Sequence, residues 1–249
     1  MFNKILLVAC IATFTACAPK YAQLITATSS SIALDASTQH LADTSYQNYL
    51  GPYKKLVDAK MNIVIGIAAQ TMRGHAPESL LSNLSADIYR TAASEFLKSE
   101  VDIAIVNLGG LRTMVPAGNI TVRKVFELMP FENELVILYL SGQKMNELCQ
   151  YFASMGGEGI SGLRMTIAEK RAVDIFVNGQ AIDLAKVYTV ATNDYLAGGN
   201  DKMSALTAHQ KRINTGIKVR SMLLNYIQGE TAKGRPIDAK LDGRITIKQ

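Results

Sequence analysis

The clearest pattern along the chain is a helical repeat of apolar positions between Glu78 and Leu97. Leucine, isoleucine, alanine and phenylalanine recur there every three or four residues, with polar side chains between them, which predicts one amphipathic helix. Similar spacing, together with capping residues and prolines, predicts four more helices: Tyr46–Ala59, a short one from Thr121 to before Pro130, one that begins after Ser141, and Ile217–Gln228.

Short apolar runs between these helices predict β-strands. The most apolar run is Val101–Val106, which ends in a glycine-containing loop. Asn178-Gly179 follows another run and is typical of a hairpin turn. Because helices and strands do not alternate strictly, the sequence predicts an α+β fold, a mixed sheet with packed helices. The other predicted strands are Asn62–Ala68, Glu134–Leu140, Arg164–Ala168, Val173–Val177, Val187–Ala191 and Ile245–Ile247.

The first residues have the pattern of an export signal. Lys4 precedes an apolar run, Ile5–Phe14, that is too short to span a membrane. Small residues before Cys17 predict a lipoprotein signal peptide at residues 1–16, with lipidation of the Cys17 thiol after cleavage. An ordinary secretory signal cleaved near Ala22 is the alternative. In both cases we expect an exported protein. The lipoprotein signal would place it in the cell envelope as a lipoprotein, in the periplasm or at the outer membrane.

Residues 17–43 are rich in Ser, Thr and Ala and are interpreted as a tether, or as a loosely held strand around Leu24–Thr28. Residues 44–249 are predicted to form one domain. Cys149 is the single cysteine of that domain, so no disulfide is expected within it. Its helical, apolar surroundings predict a role in core packing.

The chain carries 26 Lys and Arg against 21 Asp and Glu, a formal net charge of +5. This mild basic excess suits an anionic ligand, an acidic partner or an anionic membrane surface. Lys and Arg dominate no single segment, so the sequence predicts no binding of DNA or RNA.

Two candidate binding loops flank predicted strands. Asn107–Arg112 contains two glycines, which allow close approach of a ligand, and Arg112 presents a fork suited to phosphate or carboxylate. A tight turn with a solvated Arg112 explains the loop equally well. Met129–Asn133 carries Phe131, either a stacking platform for a base or a hydrophobic plug.

A third loop follows the predicted strand Val187–Ala191. It combines Tyr195 with a glycine-rich turn and with Asp201, whose carboxylate can accept hydrogen bonds from ribose hydroxyls. A turn with an Asx cap is the simpler interpretation. Taken together, two aromatic rings, an Arg, an Asn and an Asp on loops at strand ends suit a nucleoside with an attached anionic group.

Groups that would catalyse hydrolysis are scarce. A two-metal phosphatase site needs several histidines and carboxylates that converge on the metals. The three histidines, His40, His75 and His209, occur in no such cluster. Neither a G-x-S-x-G elbow nor a P-loop is present. The sequence therefore predicts no catalytic residue, no metal ligand and no cofactor in this chain.

The ordered motifs of the chain resemble the C-terminal, substrate-binding domain of the 5′-nucleotidase family, which includes UDP-sugar hydrolases and ecto-5′-nucleotidases. The resemblance covers Thr44 to the C-terminus. It is carried by the helix that begins near Glu78, by Asn107-x-Gly-Gly-x-Arg112, Pro130-Phe131-x-Asn133 and Ile160-Ser161-Gly162-Leu163, and by Asn193-Asp194-Tyr195-Leu196-Ala197 before Gly-Gly-Asn-Asp201.

The resemblance implies a role for each matching residue. Phe131 and Tyr195 would hold the base between them, Asp201 would bind ribose, and Arg112 with Asn107 would reach the phosphate side. Secondary candidates are His75, Asn133 and Gly199.

Two positions depart from the family pattern. His75 stands where the family has an arginine, which removes one expected phosphate contact. The usual Gly-Gly-Asp-Gly is here Gly199-Asn200-Asp201-Lys202, which predicts a differently shaped loop.

The metallophosphatase domain of the family has no counterpart in the sequence. The resemblance therefore implies the nucleotide-binding half of a split 5′-nucleotidase, which serves nucleotide catabolism and is inactive alone. A separate metallophosphatase chain, with its divalent metals, would supply hydrolysis. An envelope lipoprotein that has lost nucleotide binding and acts as a scaffold is the alternative. An autonomous hydrolase would need a metal site that the sequence does not provide.

Overall fold

The computed structural model describes residues 26–248, except for the side chains of Gln39 and His40. The chain divides into two compact units, up to Gly51 and from Pro52 onward. In the first unit, residues 26–34 adopt no regular structure and Ala36–Leu41 form a 3₁₀ helix. The strand considered for Leu24–Thr28 is therefore absent from residues 26–28. Cys17 and the proposed signal lie outside the described residues.

The described part of the chain contains six α-helices and eleven strands. The helices are α1 Thr44–Met61, α2 Leu80–Leu97, α3 Val122–Leu128, α4 Gly142–Met155, α5 Asp194–Ala197 and α6 Val219–Ala232. The strands are β1 Val64–Ala68, β2 Ile103–Val106, β3 Gly118–Thr121, β4 Glu134–Ser141, β5 Gly159–Ser161, β6 Leu163–Ala168, β7 Arg171–Val177, β8 Gln180–Ala181, β9 Val187–Asn193, β10 Lys211–Lys218 and β11 Ile245–Ile247.

Capping residues set the start of the predicted helices. Ser79 forms a capping box with Ser82 at the start of α2. Thr121 accepts a hydrogen bond from the Lys124 amide in α3, and Ser141 caps α4 in the same way. Each side-chain oxygen satisfies an amide that has no partner within its helix.

The strands form three sheets. The largest has the order β10-β4-β9-β2-β5, in which β2 and β9 are parallel and the other neighbours are antiparallel. A second sheet has the order β11-β6-β7-β8, and β1 pairs with β3. Asn178 and Gly179, both with positive φ, form the two-residue turn between β7 and β8. The α+β fold with a mixed sheet is confirmed.

Both faces of the central strands of the five-stranded sheet are buried. Along β2, Ala104 and Val106 belong to one hydrophobic core, while Ile103 and Ile105 belong to another. Strands β4 and β9 alternate in the same way. Helices α2 and α6 cover the first face, whereas α4 and the second sheet cover the other. Burial on both faces explains why β2 is apolar at every position.

The sequence pattern placed the last helix wrongly at both ends, since it runs from Val219 to Ala232, and it missed four strands. Ile217 and Lys218 are the end of β10, not the start of a helix, since Lys218 pairs with Glu134 of β4. Strand β10 is an edge strand without a fully buried residue, so its apolar period is weak. The other missed strands, β3, β5 and β8, have two to four residues each.

Cys149 lies in the second core, fully buried, as its helical surroundings predict. Burial raises the pKa of its thiol to about 12. The thiolate is the reactive form of cysteine, so Cys149 acts as a small apolar side chain.

Phe152 of α4 provides a test of this core. Its side chain is fully buried, so F152A leaves a cavity and should lower the free energy of unfolding by about 3–5 kcal/mol in urea titrations. The matched control is M155A on the same helix, where the side chain is 58% exposed and the change should stay within about 0.5 kcal/mol. Equal losses in the two variants would contradict this packing.

Candidate functional site

Three loops meet at one edge of the five-stranded sheet. Strands β2 and β9 are parallel, so their carboxyl ends lie at the same edge. Strand β4 is antiparallel to β9, and Leu135 near its start pairs with Asn193 at the end of β9. The loops after β2, before β4 and after β9 therefore converge, and these are the three loops that the sequence singled out.

A cavity of about 570 Å³ lies where the loops converge. Six of the eight predicted site residues line it: Asn107, Arg112, Phe131, Asn133, Tyr195 and Asp201. Its other lining residues are Gly109, Gly110, Met129, Glu132 and Asn193. A cavity of this size is typical of small-molecule sites.

His75 and Gly199 do not line the cavity. His75 lies in the loop before α2, where its amide donates to Ser79 Oγ at 3.1 Å. Gly199 has φ +83° and forms the turn before Asp201. The structure therefore brings six of the eight candidates together at the cavity and leaves these two outside its lining.

The two aromatic rings of the site are partly open to solvent. Phe131 is 44% exposed and Tyr195 is 43% exposed. Phe131 follows α3 and Pro130, and Tyr195 lies in the first turn of α5, directly after β9. The cavity therefore offers two aromatic surfaces to a ligand.

Asp201 is held by its neighbours before any ligand binds. Asn107 Nδ2 donates to its Oδ2 at 2.7 Å, and the Tyr195 hydroxyl donates to its Oδ1 at 2.8 Å. Tyr151 donates to its backbone carbonyl, also at 2.8 Å. The Tyr195 bond raises the pKa of the Tyr195 phenol, because a carboxylate accepts only from the protonated hydroxyl.

The turn that presents Asp201 has a left-handed backbone. Asp201 has φ +51° and Lys202 has φ +60°, a conformation that favours glycine. Lys202 stands where the resemblance leads us to expect glycine. The loop thus adopts glycine-like geometry at that position despite the substitution.

Arg112 is the cationic side chain of the cavity. Its Nη1 donates to the Gly109 carbonyl at 3.1 Å, and its guanidinium lies 6.0 Å from the centre of the Phe131 ring. Among residues 26–248, no carboxylate forms an ion pair with it. Its charge is therefore free to attract an anionic group in the cavity.

Glu158 was not found by sequence reasoning. Its Oε2 accepts a hydrogen bond from the amide of Leu108, the residue that begins the glycine loop after Asn107. Burial, with the nearby charge of Asp201, raises the pKa of Glu158 to about 7. Its position between Gly157 and Gly159 was the available sequence signal, because a carboxylate flanked by glycines can approach backbone amides closely.

A family model described as 5′-nucleotidase, C-terminal domain, matches residues 60–208. The chain belongs to this family. The 5′-nucleotidase of Vibrio vulnificus (strain CMCP6) is 26% identical over 216 residues, which cover 83% of this chain and 38% of that protein. The resemblance drawn from the ordered motifs is confirmed at the level of the family.

Solved structures agree with this assignment to the 5′-nucleotidase C-terminal domain family. The 5′-nucleotidase precursor of Thermus thermophilus superimposes with a TM-score of 0.70 at 29% identity, over 81% of this chain and 42% of that one. The NAD nucleotidase of Haemophilus influenzae gives 0.61 at 20% identity, over 83% and 41%, and shows a shared fold. The chain spans about two fifths of the length of these relatives.

The described residues of this family member hold neither a metal-binding cluster nor a membrane-spanning helix. No group of three or more His, Cys, Asp or Glu side chains between residues 26 and 248 is arranged to hold a metal ion. No helix in the described part of the chain is both long and apolar enough to cross a membrane.

The raised pKa of Glu158 predicts how stability depends on pH. The folded state favours the protonated acid, so its contribution is complete below about pH 4.5 and is lost as the pH rises through about 7. In urea titrations between pH 4.5 and 8, E158Q should remove this loss, which we expect to be on the order of 2–3 kcal/mol.

The control is E147Q, which removes an exposed carboxylate paired with Lys144 on α4. Its stability should follow the pH dependence of the parent chain. If E158Q also follows the parent chain, Glu158 is not held in the protonated form near neutral pH.

Proposed function

We propose that this chain is the nucleotide-binding half of a split 5′-nucleotidase, exported to the cell envelope, with hydrolysis supplied by a separate metallophosphatase chain. The observation that carries the proposal is the cavity itself. The cavity contains two half-exposed aromatic rings, the oriented carboxylate of Asp201 and the guanidinium of Arg112, all at one edge of the sheet. Among the described residues, that guanidinium has no carboxylate partner.

The base would stack on the two rings. Phe131 and Tyr195 lie on separate loops of the same cavity and keep more than two fifths of their surface open. Every nucleobase has a π-face, and stacking on an aromatic side chain contributes about 1–3 kcal/mol per base. Two rings from different loops therefore give strong binding with little dependence on the identity of the base.

The sugar would be held by Asp201. Asn107 and the Tyr195 hydroxyl each occupy one site on its carboxylate. A carboxylate has about four acceptor sites, so the remaining lone pairs can accept from ribose hydroxyls. Both neighbours also keep the carboxylate from rotating, which lowers the entropic cost of binding.

The phosphate side would face Arg112. Its guanidinium has no carboxylate partner among the described residues, and the planar fork of arginine matches phosphate oxygens in a bidentate manner. The formal charge of +5 adds a favourable field for an anionic ligand.

Catalysis is assigned to another chain through the family relationship. The relatives are named as 5′-nucleotidases, and this chain matches about two fifths of their length. Divalent metals in the partner would act on the phosphate ester while this chain holds the nucleotide. Cys17 is the proposed lipid anchor, which would place the pair at the membrane surface.

Calorimetric titration with 5′-AMP and adenosine tests the binding roles. F131A and Y195A should each lower the affinity for both ligands by about fivefold to a hundredfold, the range that stacking supplies. R112A should weaken AMP more than adenosine, because adenosine lacks the phosphate. Y195F keeps the ring and removes its bond to Asp201, so it should lose less than Y195A.

The control for F131A is F176A. Phe176 is 38% exposed and lines a different cavity, so its removal should leave both affinities unchanged. Unchanged affinity in both F131A and Y195A would refute the stacking role. A well-folded parent chain that binds neither ligand would instead support the scaffold alternative.

Phosphate release tests the division of labour. Three samples are compared: this chain alone, a metallophosphatase chain from the same organism alone, and the mixture of the two. Each sample is given 5′-AMP or UDP-glucose with divalent metal. We expect release in the mixture to exceed the sum of the two separate tubes, and none from this chain alone. Metal-dependent release by this chain alone would contradict the split enzyme.

A further inference from the structure

The loop that carries Phe131 is held by three consecutive residues from a distant part of the chain. All five backbone carbonyls from residue 129 to residue 133 accept hydrogen bonds from the junction between β10 and α6. Arg220 donates to the first three, at 2.8, 2.8 and 2.9 Å. Lys218 Nζ donates to Glu132 at 3.1 Å, and the Val219 amide donates to Asn133 at 2.9 Å.

Arg220 makes most of these bonds and is itself fixed in place. Its side chain is 12% exposed and forms an ion pair at 2.6 Å with Glu132. The guanidinium also lies 4.2 Å from the centre of the Phe126 ring in α3. A planar group with donors on three sides, packed on a ring, can serve several carbonyls at once.

Within the described part of the chain, the loop has other anchors only at its two ends. Met129 packs in the first hydrophobic core, and Asn133 Nδ2 donates to Asp194 Oδ1 at 2.8 Å. The loop lies between α3 and β4, outside the ladder of the sheet, and Phe131 at its centre is 44% exposed. Core packing therefore does not fix the ring. The direction in which the ring faces follows from the path of the backbone, and between the two anchored ends that path is held by the carbonyl bonds.

We propose that Arg220 is a positioning residue for base recognition. It does not line the cavity, and it acts by holding the loop so that Phe131 presents its ring to the base. This inference rests on the proposed nucleotide-binding function. It differs from a charge effect, in which pairing with Glu132 would merely reduce the negative charge near the bound phosphate.

Three ligands separate positioning from charge: 5′-AMP, adenosine, and ribose 5-phosphate, which has no base. In calorimetry on the full chain, R220A should lower the affinity for AMP and for adenosine by about tenfold, within the range that stacking supplies. Ribose 5-phosphate should bind as before. R220K should fall between R220A and the parent chain, because an ammonium group cannot reproduce the planar fork.

A double-mutant cycle gives the decisive comparison. If Arg220 acts through Phe131, R220A should cause little further loss in the F131A background. The control is R235A, which removes a salt bridge to Glu230 near the other end of α6 and should leave all three affinities unchanged. Equal loss for all three ligands, or a full additional loss in the F131A background, would overturn the proposal.

Amide hydrogen exchange keeps the inference testable if the parent chain binds no nucleotide. R220A should then speed exchange at the Glu134 amide, which donates to Asp194, and at the Val219 amide, which donates to the Asn133 carbonyl, while amides of the central sheet keep their protection. Faster exchange confined to these two amides would support positioning although the proposed function had failed. Unchanged exchange at both amides would overturn the positioning role whatever the ligand data show.

Discussion

Burial of both faces of strands β2, β4 and β9 in the five-stranded sheet is the constraint on which the rest of the structure depends. Side chains along β2, β4 and β9 alternate between two separate cores. A slip of one residue in any of these strands would send each side chain to the opposite core. The register is therefore fixed, and with it the point at which each strand ends. Asn107, Asn133 and Tyr195 lie at or near those ends, so the geometry of the cavity follows from packing far beneath it.

Several residues that do not line the cavity hold its loops in place. Glu158 accepts from the loop after β2, Lys218–Arg220 donate to the loop before β4, and Tyr151 donates to the turn that carries Asp201. Each contact joins residues about 50 or 90 positions apart. Short surface loops bury little apolar area, so polar bonds to backbone groups replace hydrophobic packing as the source of order.

This division explains what could be predicted from the sequence. Helices α2 and α4 repeat an apolar pattern and have local caps, so both were predicted. The two edge strands of the main sheet were missed, β5 because it has only three residues and β10 because it is largely exposed. The cavity-lining residues were found through motifs in a particular order, since each loop alone had a simpler interpretation. Arg220 was missed because a single charged residue has no local pattern, and Glu158 was missed because its two flanking glycines are a weak signal by themselves. His75 occupies the position of a family arginine, and it does not line the cavity.

The left-handed turn at Asp201 and Lys202 has a consequence for how free energy is distributed between folding and binding. Each of these residues gives up on the order of 1–2 kcal/mol by adopting positive φ without being glycine. That penalty falls on the folding of the chain, and the turn is already bent when a ligand arrives. The folded state is therefore less stable by this amount, and the turn that carries the Asp201 carboxylate would need no rearrangement on ligand binding.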